Sequence, residues 1–555
     1  GVVGVARRSC SRMECMKSPQ SLPSIRGLAN PTQTPVPALP PLPIDEVLPR
    51  IVGGLEDSGL VVLRAPTGAG KTTRVPPAIL HAGLVDQPTP RRIMMLEPRR
   101  LAARTAARRI SEELGVQLGR EVGYCVRFDD RASRDTRILI VTEGVLLRQL
   151  QDDPFLDGIG AVLFDEFHER NLNSDLALGM VKRVRETVRP DLKLVVMSAT
   201  LDPQPVANYL GGAAIVESEG RTYPVEITYD APRTRMNPAD LAVWGVERAL
   251  PRATGDLLVF LPGVGEIRRA ERGLADIARR QNLAVLPLYG DLPADAQDAA
   301  LAPNPLRKVI LATNVAETSL TIDGVECVVD TGCAKVLRFG PEAGLDRLVL
   351  EPISQASAAQ RAGRAGRTGP GTCLRLWDAA AQRGRPLVDE PEIRRVDLAG
   401  PVLQLRAWGE DQILDFPWFD PPRPEAVEQA ELLLRRLGAI DDQGAVTGDG
   451  AAMARLPAHP RLARLLLDGA RCGAARYAAW LAALLSERDP FFRPHRPEGK
   501  GPLRTTSVHH SRSDVLDRLA AIAEGERSVA TEFPWGTLNR NAAGNAPSRT
   551  WVRPS

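Results

Sequence analysis

The sequence lacks paired cysteines. Its seven cysteines are scattered and none forms a Cys-x-x-Cys pair, which argues against a zinc site or a disulfide scaffold. Cys10 and Cys15 are close together, but no other plausible metal ligand lies near them in the sequence. Such cysteine usage is typical of the reducing cytosol, so we expect a cytoplasmic protein.

Long apolar runs are also missing. No run reaches the roughly 18 residues that a membrane helix needs, and residues 1–17 contain no long apolar segment of a signal peptide. Prolines crowd residues 31–43, which favours an extended spacer without a core, or a proline-rich ligand for another protein. We therefore expect a disordered tail over residues 1–41 and no membrane partner.

Lysine is scarce, and the charge is nearly balanced. Only seven of the 71 basic residues are lysines, and the net charge of +3 is too small to indicate nucleic acid by itself. Arginine forks match phosphates bidentately, so the composition permits phosphate recognition, although a coding preference for arginine is the simpler cause. The length of 555 residues predicts several domains, each with its own core.

A glycine-rich turn follows the apolar run at residues 60–63. Residues 65–73 read APTGAGKTT and precede a predicted helix. The order strand, glycine-rich turn, Gly-Lys-Thr and helix is typical of a phosphate-binding loop. In such a loop, backbone N–H groups approach the phosphates, Lys71 reaches the β- and γ-phosphates, and Thr72 offers a hydroxyl to Mg²⁺. A chance Gly-Lys-Thr in a loop is the alternative. The predicted nucleotide-binding residues here are Thr67, Gly68, Ala69, Gly70, Lys71, Thr72 and Thr73.

Two adjacent carboxylates, Asp165 and Glu166, end the apolar run at residues 161–164. One carboxylate can hold Mg²⁺ while the next orients a water molecule for attack. A solvated turn is the alternative for this pair taken alone. Because the carboxyl ends of parallel strands share one edge, we expect the pair to meet Lys71 at one nucleotide, with Thr72 and Asp165 as the Mg²⁺ ligands.

Other predicted strands end in polar residues. The runs at 93–96, 138–141 and 194–197 precede Arg99 and Arg100, Thr142, and Ser198 respectively. Arginines at this edge can face a ligand backbone, and a solvated helix face is an equal competitor. A second α/β unit follows over residues 257–329, and the alternation over 333–351 predicts a β-hairpin.

Three arginines follow Gln360 with a spacing of three: Arg361, Arg364 and Arg367. On one helix they would form a stripe of guanidinium groups, as suits an arginine finger that a facing domain contributes to a γ-phosphate. A basic surface helix is the alternative, but Gly363 would weaken such a helix without benefit.

Taken in order, these motifs resemble those of DEAH-box ATP-dependent helicases of superfamily 2, and in particular the bacterial HrpB-type branch. They lie at residues 65–73, 97–103, 142–144, 165–168, 198–200, 260–263, 312–323 and 360–367. The stretch DEFHER at 165–170 and the stretch LYGD at 288–291 look like the HrpB form, and the resemblance covers roughly residues 42–520.

The resemblance implies an α/β fold with two tandem RecA-like P-loop NTPase domains, followed by a mostly helical winged-helix and ratchet region. The expected bounds are 42–220 and 221–385 for the two RecA-like lobes, 386–446 for the winged helix and 447–525 for the ratchet. We expect a disordered or truncated tail over 526–555, and we expect the chain to lack the further C-terminal domain of full-length HrpB-type proteins.

The resemblance also implies roles for single residues. Glu166 would polarise the attacking water and His168 would couple the site to the arginine motif. Asp323 would sense the nucleotide, which is ATP or another NTP. Contacts to the γ-phosphate are implied for Gln360, Arg364 and Arg367. Contacts to nucleic acid are implied for Arg99, Arg100, Thr142, Thr313, Asn314 and Thr318.

The implied function is that of an ATP-dependent helicase or translocase acting 3′ to 5′ on single-stranded or partly duplex RNA. The hairpin at 333–351 resembles the strand-separating element, and His168 favours processive translocation. Two alternatives stay open: an ATPase or remodelling module that does not unwind, and a DNA translocase, because backbone contacts do not read the 2′-hydroxyl. The sequence indicates no protein partner.

Overall fold

The computed structural model describes residues 39–127, 129–220, 223–317, 322–340, 342, 344–486, 491–492, 513–527, 532–533 and 536–538. Almost all of the two predicted tails, 1–41 and 526–555, lies outside these residues. Among the helices within these ranges, none has both the length and the apolar character needed to cross a membrane.

The first lobe is an eight-stranded sheet. Its strands are β1 (Leu60–Arg64), β2 (Arg92–Leu96), β3 (Val122–Val126), β4 (Asp129–Arg131), β5 (Ile138–Val141), β6 (Ile159–Phe164), β7 (Lys193–Ser198) and β8 (Ala214–Glu217). Their order across the sheet is β4-β3-β5-β2-β6-β7-β1-β8, and β4 alone pairs in antiparallel fashion. Every residue of β6 is buried, as expected for a strand covered on both faces.

Helices connect these strands. They are α1 (Leu48–Asp57), α2 (Lys71–His81), α3 (Arg100–Leu114), α4 (Glu143–Asp152), α5 (Leu172–Thr187) and α6 (Pro203–Tyr209). Strand, helix and parallel strand alternate along this lobe, which is the doubly wound arrangement that places loops from several strands at one edge.

The second lobe is a six-stranded parallel sheet with a projecting hairpin. Its strands are β9 (Val225–Tyr229), β10 (Asp256–Phe260), β11 (Leu283–Leu288), β12 (Arg307–Ala312), β13 (Val325–Asp330), β14 (Cys333–Gly340), β15 (Leu345–Pro352) and β16 (Gly371–Arg375). The sheet order is β11-β12-β10-β13-β16-β9. Its helices are α7 (Pro238–Ala249), α8 (Val264–Gln281), α9 (Ala294–Leu301), α10 (Gln355–Ala362) and α11 (Ala379–Arg383).

The predicted hairpin is confirmed. Strands β14 and β15 pair in antiparallel register from Cys333 opposite Pro352 to Gly340 opposite Leu345. Gly344, which completes the turn, has a left-handed φ of +61°.

The C-terminal region is mostly helical, as predicted. It contains α12 (Ala399–Trp408), α13 (Pro424–Arg436), α14 (Gly448–Ala454), α15 (Pro460–Arg471), α16 (Ala475–Ser486) and α17 (Asp514–Arg527), with short strands β17 (Phe491–Phe492), β18 (Glu532–Phe533) and β19 (Gly536–Leu538). An antiparallel bridge joins Ile440 to Val446, where the sequence predicts a small wing.

The C-terminal region packs against the first lobe. One buried apolar cluster contains residues of both regions. The first lobe contributes Leu146 of α4 and Leu176 of α5. The C-terminal region contributes Leu403 of α12, Leu434 of α13 and Phe416 from the segment between these helices. This region and the first lobe therefore share a core, and the loop that follows β6 lies close to their junction.

The predicted stripe of three arginines on one helix is wrong. Helix α10 ends at Ala362, so Arg361 is helical but Arg364 and Arg367 lie in the turns that follow. At Gly366 the chain passes close to Tyr223, since a Cβ atom there would lie 2.6 Å from the Tyr223 carbonyl oxygen. The spacing of three reflects this tight turn, not a helical face.

Candidate active site

The carboxyl ends of five strands of the first lobe, β1, β2, β5, β6 and β7, lie side by side. Backbone hydrogen bonds continue the sheet beyond the strand ends: Ala65 N donates to Ser198 O at 3.0 Å, Asp165 N to Leu96 O at 3.0 Å, and Glu97 N to Val141 O at 2.9 Å. The glycine-rich turn and the carboxylate pair therefore share one edge, as the sequence predicts.

The glycine-rich turn, residues 65–70, requires glycine at two positions. Gly68 and Gly70 have φ values of +92° and +97°, which residues with side chains rarely adopt. A Cβ atom on Gly70 would also lie 2.6 Å from Leu42 Cδ1, because residues 42–44 pack behind the turn. Ile44 N donates to Ala69 O at 3.1 Å, so this preceding segment fixes the shape of the turn.

Lys71, the first residue of α2, lies between the two carboxylates. Its Nζ donates to Glu166 Oε1 at 2.6 Å and lies 3.3 Å from Asp165 Oδ1. Thr72 Oγ1 donates to Asp165 Oδ2 at 2.5 Å. All three charged side chains are buried. The structure thus joins the glycine-rich turn to the carboxylate pair.

The charges in this cluster stabilise one another. Burial opposes the charged form of Lys71, but Asp165 and Glu166 outweigh it and raise the pKa of Lys71 above its usual value. Burial also opposes the charged form of Glu166, yet Lys71 and His168 lower the pKa of Glu166 to about 2. Burial raises the pKa of Asp165, although Lys71 opposes the shift. Lys71 is therefore the counter-charge that the two carboxylates share.

Glu97 is a third carboxyl group at this edge, and the sequence did not reveal it. It follows β2 and is 1% exposed. Burial, together with the carboxylates of Asp165 and Glu166, raises the pKa of Glu97 well above its usual value, which favours its protonated form. An acidic residue directly after an apolar run was the available signal, and it is the same signal that identified Asp165.

His168 connects the carboxylates to the loop after β7. Its Nε2 lies 3.4 Å from Glu166 Oε2, and its Nδ1 accepts from Ala199 N at 3.4 Å. Glu166 has a left-handed backbone with φ of +50°, a conformation that is rare for residues with a side chain. The residue that would polarise water is thus held in a specific, unusual geometry.

Side chains of the second lobe reach this site. Gln360 Nε2 donates across the lobes to Thr200 Oγ1 at 3.1 Å. Arg364 Nε donates to Glu317 O at 2.8 Å within its own lobe. Burial and the neighbouring Arg367 lower the pKa of Arg364, and Glu166 opposes that shift. Burial lowers the pKa of Arg367 to about 10, again opposed by Glu166. Both arginines therefore lie within electrostatic range of Glu166.

Arg361 differs from the other two arginines. It is 1% exposed, and its Nη1 donates to Asp330 Oδ1 at 2.9 Å while its Nε donates to Glu317 Oε2 at 2.9 Å. Both partners belong to the second lobe, so Arg361 joins β13 to the loop after β12 and does not face the first lobe.

The residues predicted to contact nucleic acid are partly brought together. Arg99 Nη2 lies 3.1 Å from Glu169 Oε1, and Arg99 Nη1 donates to Asn314 O in the second lobe. Arg100 Nη2 lies 3.0 Å from Asp291 Oδ1, also in the second lobe. Arg99 and Arg100 thus bridge the two lobes.

Of the other residues predicted to contact nucleic acid, those that the structure describes lie in separate parts of the two lobes, as does the predicted nucleotide sensor Asp323. Thr142 precedes α4 at the same sheet edge, and Thr313 Oγ1 accepts from Val315 N at 3.5 Å. Thr318 lies outside the described part of the chain. Asp323 is exposed in the turn before β13, where Gly324 O accepts from Asp256 N at the start of β10. The structure therefore places Asp323 at the amino-terminal edge of the second sheet.

Known protein families match both lobes and much of the C-terminal region. Residues 45–209 match the DEAD/DEAH box helicase family, and residues 246–369 match the helicase conserved C-terminal domain. Residues 430–458 and 459–527 match the winged-helix and ratchet-like parts of the helicase associated domain. The chain thus contains a DEAD/DEAH box helicase domain followed by a helicase conserved C-terminal domain. The two tandem RecA-like lobes and the winged-helix and ratchet region predicted from the sequence are thus confirmed.

Relatives within this helicase family are similar over most of the chain. The ATP-dependent RNA helicase HrpB of Escherichia coli (strain K12) is 42% identical over 449 residues, which is 80% of this chain and 55% of HrpB. The ATP-dependent RNA helicase HrpA of the same strain is 37% identical over 488 residues, which is 86% of this chain and 37% of HrpA.

Solved structures of this helicase family agree. The crystal structure of Escherichia coli DEAH/RHA helicase HrpB matches with a TM-score of 0.76 and 42% identity, covering 82% of this chain and 57% of the other. The HrpB-type resemblance is therefore confirmed. The chain spans about half the length of HrpB, the relative named first above.

Proposed function

We propose that this chain hydrolyses ATP between its two lobes and uses the cycle to move along RNA. The observation that carries the proposal is the convergence of Lys71, Asp165 and Glu166 with the arginines of the second lobe. A lysine, a carboxylate pair and arginines from a facing domain are the parts that phosphoryl transfer needs, because its catalysis is mostly positioning and charge stabilisation.

The oxygen-rich donor set suits Mg²⁺. Hard divalent cations prefer carboxylate and hydroxyl oxygens, and the hydroxyl of Thr72 lies 2.5 Å from a carboxylate oxygen of Asp165. Glu166 Oε2 is a buried atom without a hydrogen-bond partner, as expected where an oxygen faces a cation or an ordered water. We propose that Thr72 and Asp165 hold Mg²⁺, which would neutralise charge on the phosphates.

The chain's own residues divide the remaining work. Backbone N–H groups of the glycine-rich turn and the ammonium of Lys71 would bind the phosphates. Glu166, which stays ionised because its pKa is about 2, would orient the attacking water. Arg364 and Arg367 would stabilise the γ-phosphate when the lobes close, and opening would follow hydrolysis.

The nucleic-acid part of the proposal rests on the relatives, HrpB and HrpA, which are named as RNA helicases. Arg99, Arg100, Thr142, Thr313 and Asn314 are the proposed contacts to the RNA backbone. Movement 3′ to 5′, strand separation by the β14–β15 hairpin and a cytoplasmic location stay predictions. An ATPase that remodels RNA without unwinding it is the second candidate, because the carboxylate cluster and the facing arginines account for hydrolysis alone.

The experiment measures ATP hydrolysis by the full chain with single-stranded RNA, with single-stranded DNA and without either. We expect stimulation by RNA, and Lys71→Ala and Glu166→Gln should each abolish turnover while far-ultraviolet circular dichroism stays that of the wild type. Wild-type turnover in either variant would refute the proposed site. Turnover that RNA does not stimulate would refute the helicase function, and equal stimulation by DNA would refute the RNA preference.

Unwinding is tested separately, with a duplex that carries a 3′ or a 5′ single-stranded extension. Strand release only from the 3′-extended duplex supports the proposed direction. ATP hydrolysis that RNA stimulates without release from either duplex would favour the remodelling ATPase.

A further inference from the structure

The turn that carries His168 has an unusual backbone at both ends. The φ angle is +50° at Glu166 and +49° at Arg170, and Phe167–Glu169 form a 3₁₀ turn between them. Residues with side chains rarely adopt such angles, so the conformation persists only where the surroundings hold it. The positions of Glu166 and His168 therefore depend on what holds Arg170.

The guanidinium group of Arg170 is held on several sides. Its Nε and Nη2 donate to the two carboxylate oxygens of Asp175, at 3.0 and 2.8 Å. Its Nη2 also lies 2.7 Å from Asp420 Oδ2, and the group lies over the Phe419 ring, 4.5 Å from the centroid. The bidentate pair fixes the orientation of the fork, and Asp420 and Phe419 fix it from the C-terminal region.

The backbone of the same turn is bound to the C-terminal region as well. Glu392 N donates to Arg170 O at 3.1 Å, and Leu172 N donates to Glu392 Oε2 at 3.0 Å. Residue 392 therefore supports the chain on both sides of Asn171. Glu392 and the segment 419–420, which both hold the turn, lie more than two hundred residues further along the sequence.

Close packing surrounds these contacts. The rings of Phe167 and Phe419 have centroids 5.7 Å apart, and Tyr209 Oη donates to Pro417 O at 2.5 Å. A Cβ atom on Gly179 of α5 would lie 2.4 Å from the Phe416 ring, so the helix and the loop at 416–420 approach as closely as glycine allows. A close-packed junction transmits displacements, because it has no free space to absorb them.

We infer that Arg170 is a positioning residue for ATP hydrolysis, held by Asp420, Phe419 and Glu392 of the C-terminal region. The inference rests on the proposed ATPase function. Arg170 acts by fixing the turn that presents Glu166 and His168 to the site. Its supports make the C-terminal region part of the catalytic geometry, in addition to any role in binding nucleic acid. Loosening the turn would slow turnover and leave the phosphate-binding residues in place.

The test is Asp420→Asn in the full chain, with steady-state ATP hydrolysis measured over a range of ATP concentrations. The variant removes the charge of Asp420, one of the two carboxylates beside Arg170, but leaves the pair with Asp175. Because a misplacement of about 1 Å can cost on the order of 100-fold, we expect kcat to fall about tenfold. The KM for ATP should stay within about twofold, since Lys71 and the glycine-rich turn are unchanged.

Arg394→Gln is the matched control. Arg394 Nη2 lies 3.4 Å from Asp420 Oδ1 on the exposed side, so this variant removes the other ion pair of the same carboxylate. We expect its kcat to equal that of the wild type. Asp420→Glu, which keeps the charge, should recover most of the turnover that Asp420→Asn loses.

A double-mutant cycle between Arg170→Lys and Asp420→Asn shows whether the two residues act through one contact. We expect the double variant to be no slower than the slower single variant. A wild-type kcat in Asp420→Asn, with or without a lower melting temperature, would overturn the inference. An equal loss in Arg394→Gln, or additive losses in the cycle, would do the same. A wild-type chain that does not hydrolyse ATP would refute the proposed function, and the inference would fall with it.

Discussion

The two lobes turn the carboxyl ends of their strands towards each other, but they balance their charges differently. In the first lobe, Lys71 is neutralised locally by Asp165 and Glu166. In the second lobe, Arg361 is neutralised locally. Arg364 is buried and the neighbouring Arg367 is half-buried, and both have lowered pKa values and interact with Glu166 of the facing lobe. The first lobe is thus electrostatically self-contained, whereas the second is completed by its partner.

This difference separates arginines that hold a lobe together from arginines that act across the interface. Arg361 and Arg364 stand three residues apart in one motif, and both are buried. Arg361 pairs with carboxylates of its own lobe, whereas Arg364 interacts with Glu166 of the facing lobe, as does the half-buried Arg367. Substitutions that affect turnover and stability separately can therefore test the comparison.

Arg367→Ala should have the largest effect. Since an arginine that stabilises transition-state charge from a facing domain contributes at least about 1000-fold, we expect kcat to fall by about that factor. The melting temperature should change little, because burial already disfavours the charged form of this side chain. Steady-state ATP hydrolysis and thermal unfolding measure the two quantities. A loss below about tenfold would contradict a catalytic contact from this residue.

Arg361→Ala should destabilise the second lobe. The change leaves the fully buried Asp330 without the guanidinium that Arg361 places 2.9 Å away. Removing one partner of a buried pair costs about 3–5 kcal/mol, so we expect a clear fall in the free energy of unfolding. Urea unfolding followed by circular dichroism measures it. As a control, Arg279→Ala removes an exposed pair with Asp276 and should leave stability unchanged. Equal stability in both variants would show that Arg361 does not hold the lobe.

Much of the site was predictable because it depends on local order. An apolar run followed by a polar residue identified β1, β2, β6 and β7, and parallel strands necessarily bring such ends to one edge. The positions of Lys71, Asp165 and Glu166 follow from that rule alone. Strands β3, β4, β8, β9 and β16 were not predicted, because none of them contains four consecutive apolar side chains, as β1, β2, β6 and β7 do.

Contacts between distant segments were not predictable in the same way. The spacing of Arg361, Arg364 and Arg367 is compatible with a helix, and only the close approach of Gly366 to Tyr223 shows why the chain turns there. The pairing of Arg170 with Asp420 likewise depends on how the C-terminal region packs on the first lobe. No periodicity in the sequence encodes that packing.

A second difference between the lobes concerns one turn in each: the turn after β1 requires glycine at position 70, whereas the turn after β10 does not require it at position 263. Gly70→Ala tests this difference. Gly70 has φ of +97° and lies against Leu42, so alanine there is both strained and crowded. A left-handed residue costs about 1–2 kcal/mol, and we expect the KM for ATP to rise about tenfold. The matched variant Gly68→Ala has the strain without the crowding and should raise the KM less.

The turn after β10 in the second lobe provides the contrast. Gly263 has an extended backbone with φ of −174°, and a Cβ atom there would meet only the flexible ends of Lys335 and Glu266. Gly263→Ala should therefore leave the KM for ATP unchanged. A similar rise in the KM for Gly263→Ala and Gly70→Ala would mean that the two turns are not distinguished by nucleotide binding.

Gln360→Leu should have the smallest effect, since it removes one exposed hydrogen bond between the lobes. The bond from Gln360 Nε2 to Thr200 Oγ1 is 3.1 Å long, and a neutral hydrogen bond contributes about 0.5–1.5 kcal/mol net. Because this bond joins the two lobes, its loss should disfavour their closed arrangement and lower kcat about fivefold. The free energy of unfolding of either lobe should not change. Thr200→Val removes the same bond from the first lobe and should have the same effect. The double variant should be no slower than either single one, and additive losses would show that the two side chains act separately.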